Sequence, residues 1–356
     1  MRRFLIVPIL LVLMVPASPA HAQTYGAQLV KGGLDFPAAF ALTPAGKIVY
    51  AERFTGEIRV YDPSTGSDTL FFRVTNLSTQ GEQGLLGVTV DPQLTSGKPF
   101  VYAYATRTTP SLQNQILRIR IRPGQSPTAT VIFASNTAPG QYHDGGRILF
   151  GPDGKLYAVI GESHSAANAQ DLTSTAGKIV RMNRNGTVPA DNPIAGNYLY
   201  SFGHRNSFGL AFDPESGDLW ETENGPSCND ELNRIDPGEN YAWGPNQTCS
   251  GTAPENTNRD GPQPRIMPLY WYTPTTAPTG VAFCASSGCG VTGAAGKLLF
   301  GEFNTGRIRQ VTLTTDRLGV TSQSVVYDGS KGILSMERGP NGSLYFSVDD
   351  AIYRLV

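Results

Sequence analysis

A hairpin-like segment recurs along the chain and constrains its fold more than any other feature. Each copy is an apolar stretch, a turn rich in Pro, Gly or Asp, and a second run of strand-forming residues, as in "FALTPAGKIVYAER". Copies begin at Phe40, Gly87, Ile148, Leu210, Gly280 and Glu337. A D-G, N-G or A-G turn between two such runs is typical of a β-hairpin. No long stretch has apolar residues at helical spacing, so we predict an all-β chain.

Six copies of a strand-only unit predict a six-bladed β-propeller with four-stranded antiparallel blades. Six units over residues 23–356 contain about 56 residues each, close to the spacing of kelch-type blades. A pair of β-sandwiches would explain the turns but not their recurrence. Propellers commonly close when one terminus completes the blade of the other, and "YGAQLV" from Tyr25 and "AIYRLV" from Ala351 are the candidate segments. The binding site is then expected on loops at one end of the central channel.

The first 22 residues have the layout of a secretory signal peptide. Arg2 and Arg3 precede an apolar run, and Ala20-His21-Ala22 follows it, so cleavage is expected after Ala22. The apolar run is short and interrupted by proline, which argues against a membrane span. The sequence therefore predicts a periplasmic or secreted protein in which residues 23–356 form one β-propeller domain.

The charge balance argues against nucleic acid as a partner. Without Arg2 and Arg3 the chain has 26 basic and 29 acidic residues, and it contains no basic block. Proteins that bind nucleic acid usually carry a clear excess of positive charge.

The four cysteines all lie late in the sequence. An even number of cysteines in an exported protein predicts disulfides, and short loops lose the least entropy on closure. We therefore favour the pairs Cys228–Cys249 and Cys284–Cys289. A zinc site is the alternative, but neither a C-x-x-C motif nor a nearby histidine supports it.

A histidine and a glutamate flank the third copy of the hairpin. His143 precedes a Gly-Gly pair, and Glu162 follows the second strand of "YHDGGRILFGPDGKLYAVIGES". If the two strands pair, their outer ends return to the same side, so Glu162 is expected near His143. A carboxylate beside an imidazole fixes its tautomer and raises its basicity, as a general base requires. The alternative is an exposed loop histidine and an unrelated glutamate at a strand end.

Three further segments concentrate polar or aromatic residues. The run His204-Arg205-Asn206 suits an anionic ligand rich in oxygen, unless its polar groups only satisfy the loop backbone. Residues 221–251 are rich in Asp, Glu and Asn, ligands that suit calcium, although a solvated acidic loop would look the same. In residues 269–280, Tyr270 and its aromatic neighbours could stack on a sugar or be buried between blades.

Together these segments resemble the soluble aldose sugar dehydrogenases that depend on pyrroloquinoline quinone (PQQ), the glucose/sorbosone dehydrogenase family. The resemblance covers nearly all of residues 23–356. It is strongest from "GLLGVTVDP" at Gly84 through "TVPADNP", "YSFGHRNSFGLAFDP" and "NGPSCNDELNRIDPGENYAWG". The family fold is a six-bladed β-propeller, in agreement with the repeat.

The resemblance implies roles for individual residues. His143 matches the catalytic base, and Glu162 matches the acidic residue that orients it, where many members have Asp. Arg205 and Asn206 match the pair that contacts the quinone oxygens of PQQ, and Arg205 also stabilises the charge that develops there.

A second group of positions matches cofactor, metal and substrate contacts of the family. The resemblance places Asn224 and Thr275 at the cofactor and Tyr270 near the sugar. It assigns the backbone carbonyl groups of Gly225 and Pro226 to the calcium ion that bridges to PQQ.

The implied reaction is oxidation of the anomeric hydroxyl of an aldose to an aldonolactone, with electrons passed to an external acceptor.

The chain departs from the family late in the sequence, where basic residues usually hold the carboxylates of PQQ. Asn304 stands in place of a lysine, and Gly332–Leu334 lies where an Arg-x-Arg-Asp run is expected. Lys331, Arg307 or Arg338 could substitute for these basic residues.

Two other functions are alternatives to sugar oxidation. One is a non-catalytic propeller that binds a carbohydrate or a protein, and the other is a calcium-dependent lactone hydrolase. The sequence leaves monomer and dimer open.

Overall fold

A computed structural model describes residues 24–94, 99–122 and 124–356 of the chain. The predicted signal peptide and its cleavage site lie outside these residues. The strands, in chain order, are β1 (Ala27–Gly32), β2 (Pro37–Leu42), β3 (Ile48–Glu52), β4 (Glu57–Asp62), β5 (Ser67–Arg73), β6 (Leu85–Val90), β7 (Phe100–Arg107), β8 (Gln113–Arg122), β9 (Gln125–Ala134), β10 (Ile148–Phe150), β11 (Leu156–Ile160), β12 (Lys178–Met182), β13 (Leu199–Phe202), β14 (Ser207–Phe212), β15 (Leu219–Glu223), β16 (Asp230–Ile235), β17 (Tyr270–Tyr272), β18 (Pro278–Phe283), β19 (Leu298–Glu302), β20 (Arg307–Leu313), β21 (Val320–Asp328), β22 (Ser335–Arg338), β23 (Leu344–Ser347) and β24 (Ala351–Leu355). Two short 3-10 helices, Ala166–Ala169 and Pro254–Asn256, complete the elements.

These strands form six four-stranded antiparallel sheets, which we number as blades 1 to 6. Blades 1 to 5 are β2–β5, β6–β9, β10–β13, β14–β17 and β18–β21, and blade 6 contains β22, β23, β24 and β1. The first strands of neighbouring blades contact one another in the closed ring β2, β6, β10, β14, β18 and β22. The predicted six-bladed propeller is confirmed, and its central channel is lined by these first strands.

The repeated sequence segment corresponds to the first two strands of each blade. In blade 3, for example, Ile148 pairs with Ala158 and Phe150 with Leu156 across the hairpin. In blade 5 the connection between β18 and β19 is longer, and it contains the disulfide Cys284–Cys289. The alternation of apolar segments and turns therefore identified all six hairpins, because each inner strand is buried against its neighbours.

The chain termini close the ring as predicted. Strand β1 pairs antiparallel with β24, with Ala27 opposite Leu355 and Gly32 opposite Ala351. The final blade thus takes its outer strand from the beginning of the chain, so opening the ring would break a full ladder of backbone hydrogen bonds.

Both predicted disulfides are present. Cys228 and Cys249 are 21 residues apart in sequence, and Cys284 and Cys289 are separated by 5. The described residues contain no free cysteine. Within that same part of the chain, no helix is long and apolar enough to cross a membrane.

The loops that enter a first strand and those that leave a second strand meet at one end of the channel. His143 precedes β10 and Glu162 follows β11, so both lie at this end, which we call the site face.

Candidate active site

A cavity of about 320 Å³ opens at the site face of the channel, a size typical of ligand pockets. All six blades or their connecting loops contribute to its wall. The lining residues are Phe36, Ala38, Arg53, Glu82, Leu86, Gly145, Arg147, Phe208, Asn224, Ala277, Thr279, Phe303, Asn304 and Leu334. Of the predicted site residues, Asn224 lines this cavity directly. Arg205 is hydrogen-bonded to Asn224, and His143 and Asn206 are hydrogen-bonded to Glu82, which also lines it.

The structure brings His143 and Glu162 together. A hydrogen bond joins Nδ1 of His143 to Oε1 of Glu162, and both side chains are buried. This contact occupies Nδ1, so Nε2 is the nitrogen left to act on a ligand. The backbone of His143 is left-handed, with φ +63°. Gly161 makes this possible, because a Cβ there would lie 2.2 Å from the carbonyl oxygen of His143.

Glu82 is a site residue that the sequence analysis missed. Its Oε2 accepts hydrogen bonds from the backbone N–H of His143 at 2.8 Å and from Nδ2 of Asn206 at 3.0 Å. A loop before blade 2 is thereby joined to residues of blades 3 and 4. Its position two residues before the "GLLGVTVDP" motif is the signal that could have identified it.

Arg205 lies beside this network and is mostly buried. Its Nη1 donates to the carbonyl oxygen of Asn224 at 2.7 Å, and its guanidinium carbon is 5.4 Å from the centre of the Trp243 ring. Its backbone N–H donates to Glu223, and its own carbonyl accepts from Glu162 N at 2.8 Å. Burial lowers the pKa of Arg205, and nearby carboxylates, Glu162 first, oppose that shift.

Two buried acceptor atoms in this group have no hydrogen-bond partner within the described part of the chain. They are Oε2 of Glu162 and Oδ1 of Asn206. Unsatisfied buried polar atoms are costly, and at functional sites they often complete their hydrogen bonds with a ligand.

Beneath Arg205, His204 is completely buried between two carboxylates rather than facing the cavity. Its Nδ1 lies 3.1 Å from Oε2 of Glu223 and 3.3 Å from Oε2 of Glu221, and its Nε2 contacts Ser201 Oγ at 2.8 Å. Burial alone would lower the pKa of His204, but the two glutamates raise it to about 10. The ligand atoms of His204, Glu221 and Glu223 all lie within 4.8 Å of one another, close enough to hold a metal ion. Since Glu223 also accepts the N–H of Arg205, this cluster fixes the backbone that carries the arginine.

The loop proposed for calcium is held by Asp230. Its Oδ1 accepts the N–H of Gly225 at 2.8 Å, while its Oδ2 accepts from Thr276 at 2.6 Å and Ala277 at 2.8 Å. Burial raises the pKa of Asp230, and these three N–H donors oppose the rise. Within the described ranges, the carbonyl oxygens of Gly225 and Pro226 accept no hydrogen bond. They are therefore available for a cation, which fits the oxygen ligands that calcium prefers.

The two remaining predicted positions lie near blade 5. Tyr270 packs against Tyr272, with ring centres 4.9 Å apart, and its hydroxyl accepts from Gln323 Nε2 at 3.4 Å. The structure thus places Tyr270 at the junction with the outer strand of blade 5 and not on the cavity wall. Thr275 is half-buried in the loop that leads to Ala277, which does line the cavity.

The basic residues that could have replaced the missing late ones are engaged elsewhere. Lys331 pairs with Asp349 at 2.9 Å and with Asp350 at 2.6 Å, and Arg307 pairs with Asp328 at 3.2 Å. Arg338 lines a second cavity at the opposite end of the channel. None of these three side chains borders the cavity at the site face.

Two other arginines supply positive charge to the cavity wall. Arg53 in blade 1 donates from Nε to the carbonyl oxygen of Gln83 at 3.1 Å. Buried Arg147 in blade 3 donates to Phe208 O at 3.0 Å and to Ser335 Oγ at 2.8 Å. Among the described residues neither guanidinium forms a direct ion pair. Carboxylates nevertheless act on both through space, Glu82 and Asp144 on Arg53, and Glu337 on Arg147. These two guanidinium groups, from blades 1 and 3, are the cavity-lining groups that could meet the carboxylates of a bound cofactor.

Residues 34–356 match the model of the Glucose / Sorbosone dehydrogenase family, and the chain belongs to this family.

Individual relatives support the assignment. The chain is 26% identical over 361 residues to aldose sugar dehydrogenase YliI of Escherichia coli, covering 98% of this chain and 96% of that protein. It is 30% identical over 266 residues to quinoprotein glucose dehydrogenase B of Acinetobacter calcoaceticus, covering 64% of this chain and 55% of that enzyme. The PQQ-bound aldose sugar dehydrogenase of Streptomyces coelicolor has a similar structure, with a TM-score of 0.78, 29% identity and coverage of 95% and 99% of the two chains. The chain thus spans only about half the length of the Acinetobacter relative.

Proposed function

We propose that this protein oxidises the anomeric hydroxyl of aldose sugars to aldonolactones, with PQQ as hydride acceptor and calcium as an electrostatic aid. The observation that carries the proposal is the hydrogen bond between His143 and Glu162 beside a cavity bordered by Arg53 and Arg147. Family membership supports a sugar oxidoreductase, and the site residues support the more specific reaction.

In this reaction His143 is the general base. Glu162 holds Nδ1, so the imidazole presents Nε2 to the anomeric hydroxyl and takes its proton. The carboxylate also stabilises the imidazolium that results. Glu82 fixes the backbone of His143, which keeps the ring in place during proton transfer.

PQQ, when bound, supplies the electron sink for the hydride that leaves the anomeric carbon. Arg205 and Asn206 would contact its quinone oxygens, with Asn224 and Thr275 beside them. The guanidinium of Arg205 is anchored by Asn224 and carries its charge in a largely buried setting, where it stabilises developing negative charge strongly.

The carbonyl oxygens of Gly225 and Pro226 would hold the calcium ion, whose charge adds to that of Arg205. Asp230 acts indirectly, since it keeps this loop against the Thr276–Ala277 backbone. For Tyr270 the role near the sugar rests on the resemblance alone, because the side chain packs against Tyr272 and does not line the cavity.

The wider setting of the reaction follows from the same proposal. Residues 1–22 would direct export and be removed, which leaves one propeller domain in the periplasm or outside the cell. An external acceptor would take up the electrons removed from the sugar. No nucleic acid or membrane span takes part.

The test is a titration of purified protein with PQQ in the presence of Ca²⁺, followed by an aldose and a redox dye. We expect sugar-dependent dye reduction that His143→Ala abolishes. Absence of PQQ binding and of turnover across a panel of aldoses would refute the proposal.

A second candidate, a non-catalytic propeller that binds a carbohydrate or a protein, is favoured by one observation. Asn304 and Leu334 border the cavity where the family has basic residues, and Lys331 and Arg307 are engaged in ion pairs. This candidate predicts saccharide binding without PQQ that His143→Ala leaves unchanged.

A further inference from the structure

Three aromatic rings form a continuous group at the site face: Tyr142, His143 and His164. The ring of His164 lies 5.1 Å from that of His143 and 5.7 Å from that of Tyr142, measured between centres. Both contacts are edge-to-face, at 68° and 90°. His143 is buried, whereas Tyr142 and His164 are exposed. His164 thus lies directly outside the candidate base, between that base and solvent.

The backbone holds His164 in a disfavoured conformation. Ser163 has φ +61° and His164 has φ +59°, and His143 in the facing loop has φ +63°. Left-handed backbone is uncommon for residues other than glycine and tends to persist at functional sites, where the surroundings impose it. Here Ser163 N donates to His143 O at 3.0 Å. Gly140 packs so closely that a Cβ there would lie 2.4 Å from Ser163 O.

Packing does not explain a histidine at position 164, although histidine is among the residues other than glycine that are enriched in left-handed backbone. Gly or Asn would adopt its backbone conformation more easily. Its side chain forms no hydrogen bond or ion pair with the described residues and is not part of the hydrophobic core. The two ring contacts are therefore the interactions that the imidazole makes within the protein.

The chemistry of this group suits a pyranose. Such a ring has an apolar C–H face, which stacks on an aromatic side chain, and a rim of hydroxyl groups, which bond with an imidazole. The exposed Phe, Tyr and Trp side chains of the described ranges are Phe54, Tyr142, Trp271 and Phe303. Phe54 and Phe303 each follow a second strand at the site face, so Tyr142 is one of several exposed rings around the same mouth.

We propose that Tyr142 and His164 form the wall that holds the pyranose ring of the substrate beside His143, with His164 bonding to a hydroxyl and so determining which sugars bind. This inference rests on the proposed sugar oxidation at the same site. It adds a recognition element that acts on the substrate and not on the cofactor.

The experiment measures binding of methyl β-D-glucopyranoside, a sugar whose blocked anomeric oxygen prevents oxidation. Saturation-transfer NMR and titration are performed with and without PQQ and Ca²⁺. His164→Gly removes the imidazole, and glycine adopts the positive φ without strain. His164→Asn restores a polar side chain, and asparagine also adopts a positive φ readily. We expect His164→Gly to weaken binding about three- to tenfold, the effect of losing one hydrogen bond, and His164→Asn to recover part of that loss.

Two further variants separate stacking from loop effects. Tyr142→Phe keeps the ring and should bind like the wild type, whereas Tyr142→Ala should bind weakly. Asn76→Gly is the matched control, because Asn76 is exposed with φ +56° and makes no contact with the three rings. It should leave binding unchanged.

Equal affinity of the wild type and His164→Gly would overturn the inference, as would the absence of any glycoside binding by the wild type. Turnover measured with PQQ and Ca²⁺ provides the second readout. A raised KM with unchanged kcat in His164→Gly supports a substrate contact, while a reduced kcat with unchanged KM contradicts it. Binding that depends on His164 without any turnover would refute the proposed oxidation and leave this subsite standing. Turnover that is the same in the wild type and in His164→Gly would refute the subsite and leave the proposed oxidation standing.

Discussion

Oε2 of Glu82 accepts the backbone N–H of His143 at 2.8 Å, and this hydrogen bond joins the loop before blade 2 to the candidate base in blade 3. The same oxygen accepts from Asn206 Nδ2 in blade 4. One carboxylate thus fixes the relative positions of three blades at the mouth of the channel. The geometry of the site consequently depends on the closure of the ring as well as on the local turn around His143.

Removal of the Glu82 carboxylate should therefore destabilise the fold. Glu82→Ala leaves the N–H of His143 and the amide of Asn206 without their acceptor, and we expect a loss of about 1–3 kcal/mol in the free energy of unfolding. Urea denaturation measures this loss. Glu255→Ala is the control, since Glu255 is exposed, and should change stability by less than about 0.5 kcal/mol. Equal stabilities for the two variants would contradict the bridging role.

Glu162→Gln tests the charge of the partner carboxylate. Glutamine preserves the size of the side chain but does not stabilise the imidazolium that forms at His143. We expect kcat to fall by about 10²-fold, within the range of general-base effects, while the melting temperature changes little. Steady-state kinetics with a saturating aldose measure this effect. A kcat close to that of the wild type would show that His143 does not need the negative charge of Glu162.

Asp144 provides a prediction about pH. Burial raises its pKa to about 7, against the opposing effect of the hydrogen bond from Asn114. Because the folded state holds this proton more tightly than the unfolded state, its contribution to stability is complete below pH 4 and is lost as pH rises to about 7. Asp144→Asn should remove this loss. The variant should gain on the order of 2–4 kcal/mol relative to wild type between pH 4 and 8. Parallel pH profiles of unfolding would contradict the assignment.

The two disulfides should differ in their contribution to stability. Paired Cys→Ser changes at Cys228 and Cys249 open a loop of 21 residues and should cost about 3 kcal/mol, while changes at Cys284 and Cys289, which are 5 apart, should cost about 2 kcal/mol. Calorimetric melting of the two double variants measures the difference. An equal or reversed order would indicate that loop entropy does not govern their effects.

Much of the fold could be predicted from the repeat. Each copy of the hairpin consists of two runs of strand-forming residues joined by a turn motif, and these are local properties that the sequence displays directly. The closing pair β1–β24 could also be predicted, since both terminal segments are strand-like. The pairing of Glu162 with His143 followed from the same local logic, because a hairpin returns its two ends to one side.

The remaining site residues come from separate blades, and no local pattern reports their contacts. Glu82 reaches His143 across 61 positions, and the two cavity arginines come from blades 1 and 3. Similarly, the sequence presented Lys331 as a possible cofactor ligand, whereas the fold places it against Asp349 and Asp350.

The sequence by itself therefore determined the six hairpins and the antiparallel blades, because short-range turn and strand chemistry specifies them. It favoured the two disulfide pairs through the low entropy cost of short loops, and it left the histidine–glutamate pair as one of two interpretations. The tertiary structure alone decided which charges border the cavity, that His204 is buried against two glutamates, and that His164 lies over His143. These outcomes depend on ring closure, which brings loops that are distant in sequence to one mouth of the channel.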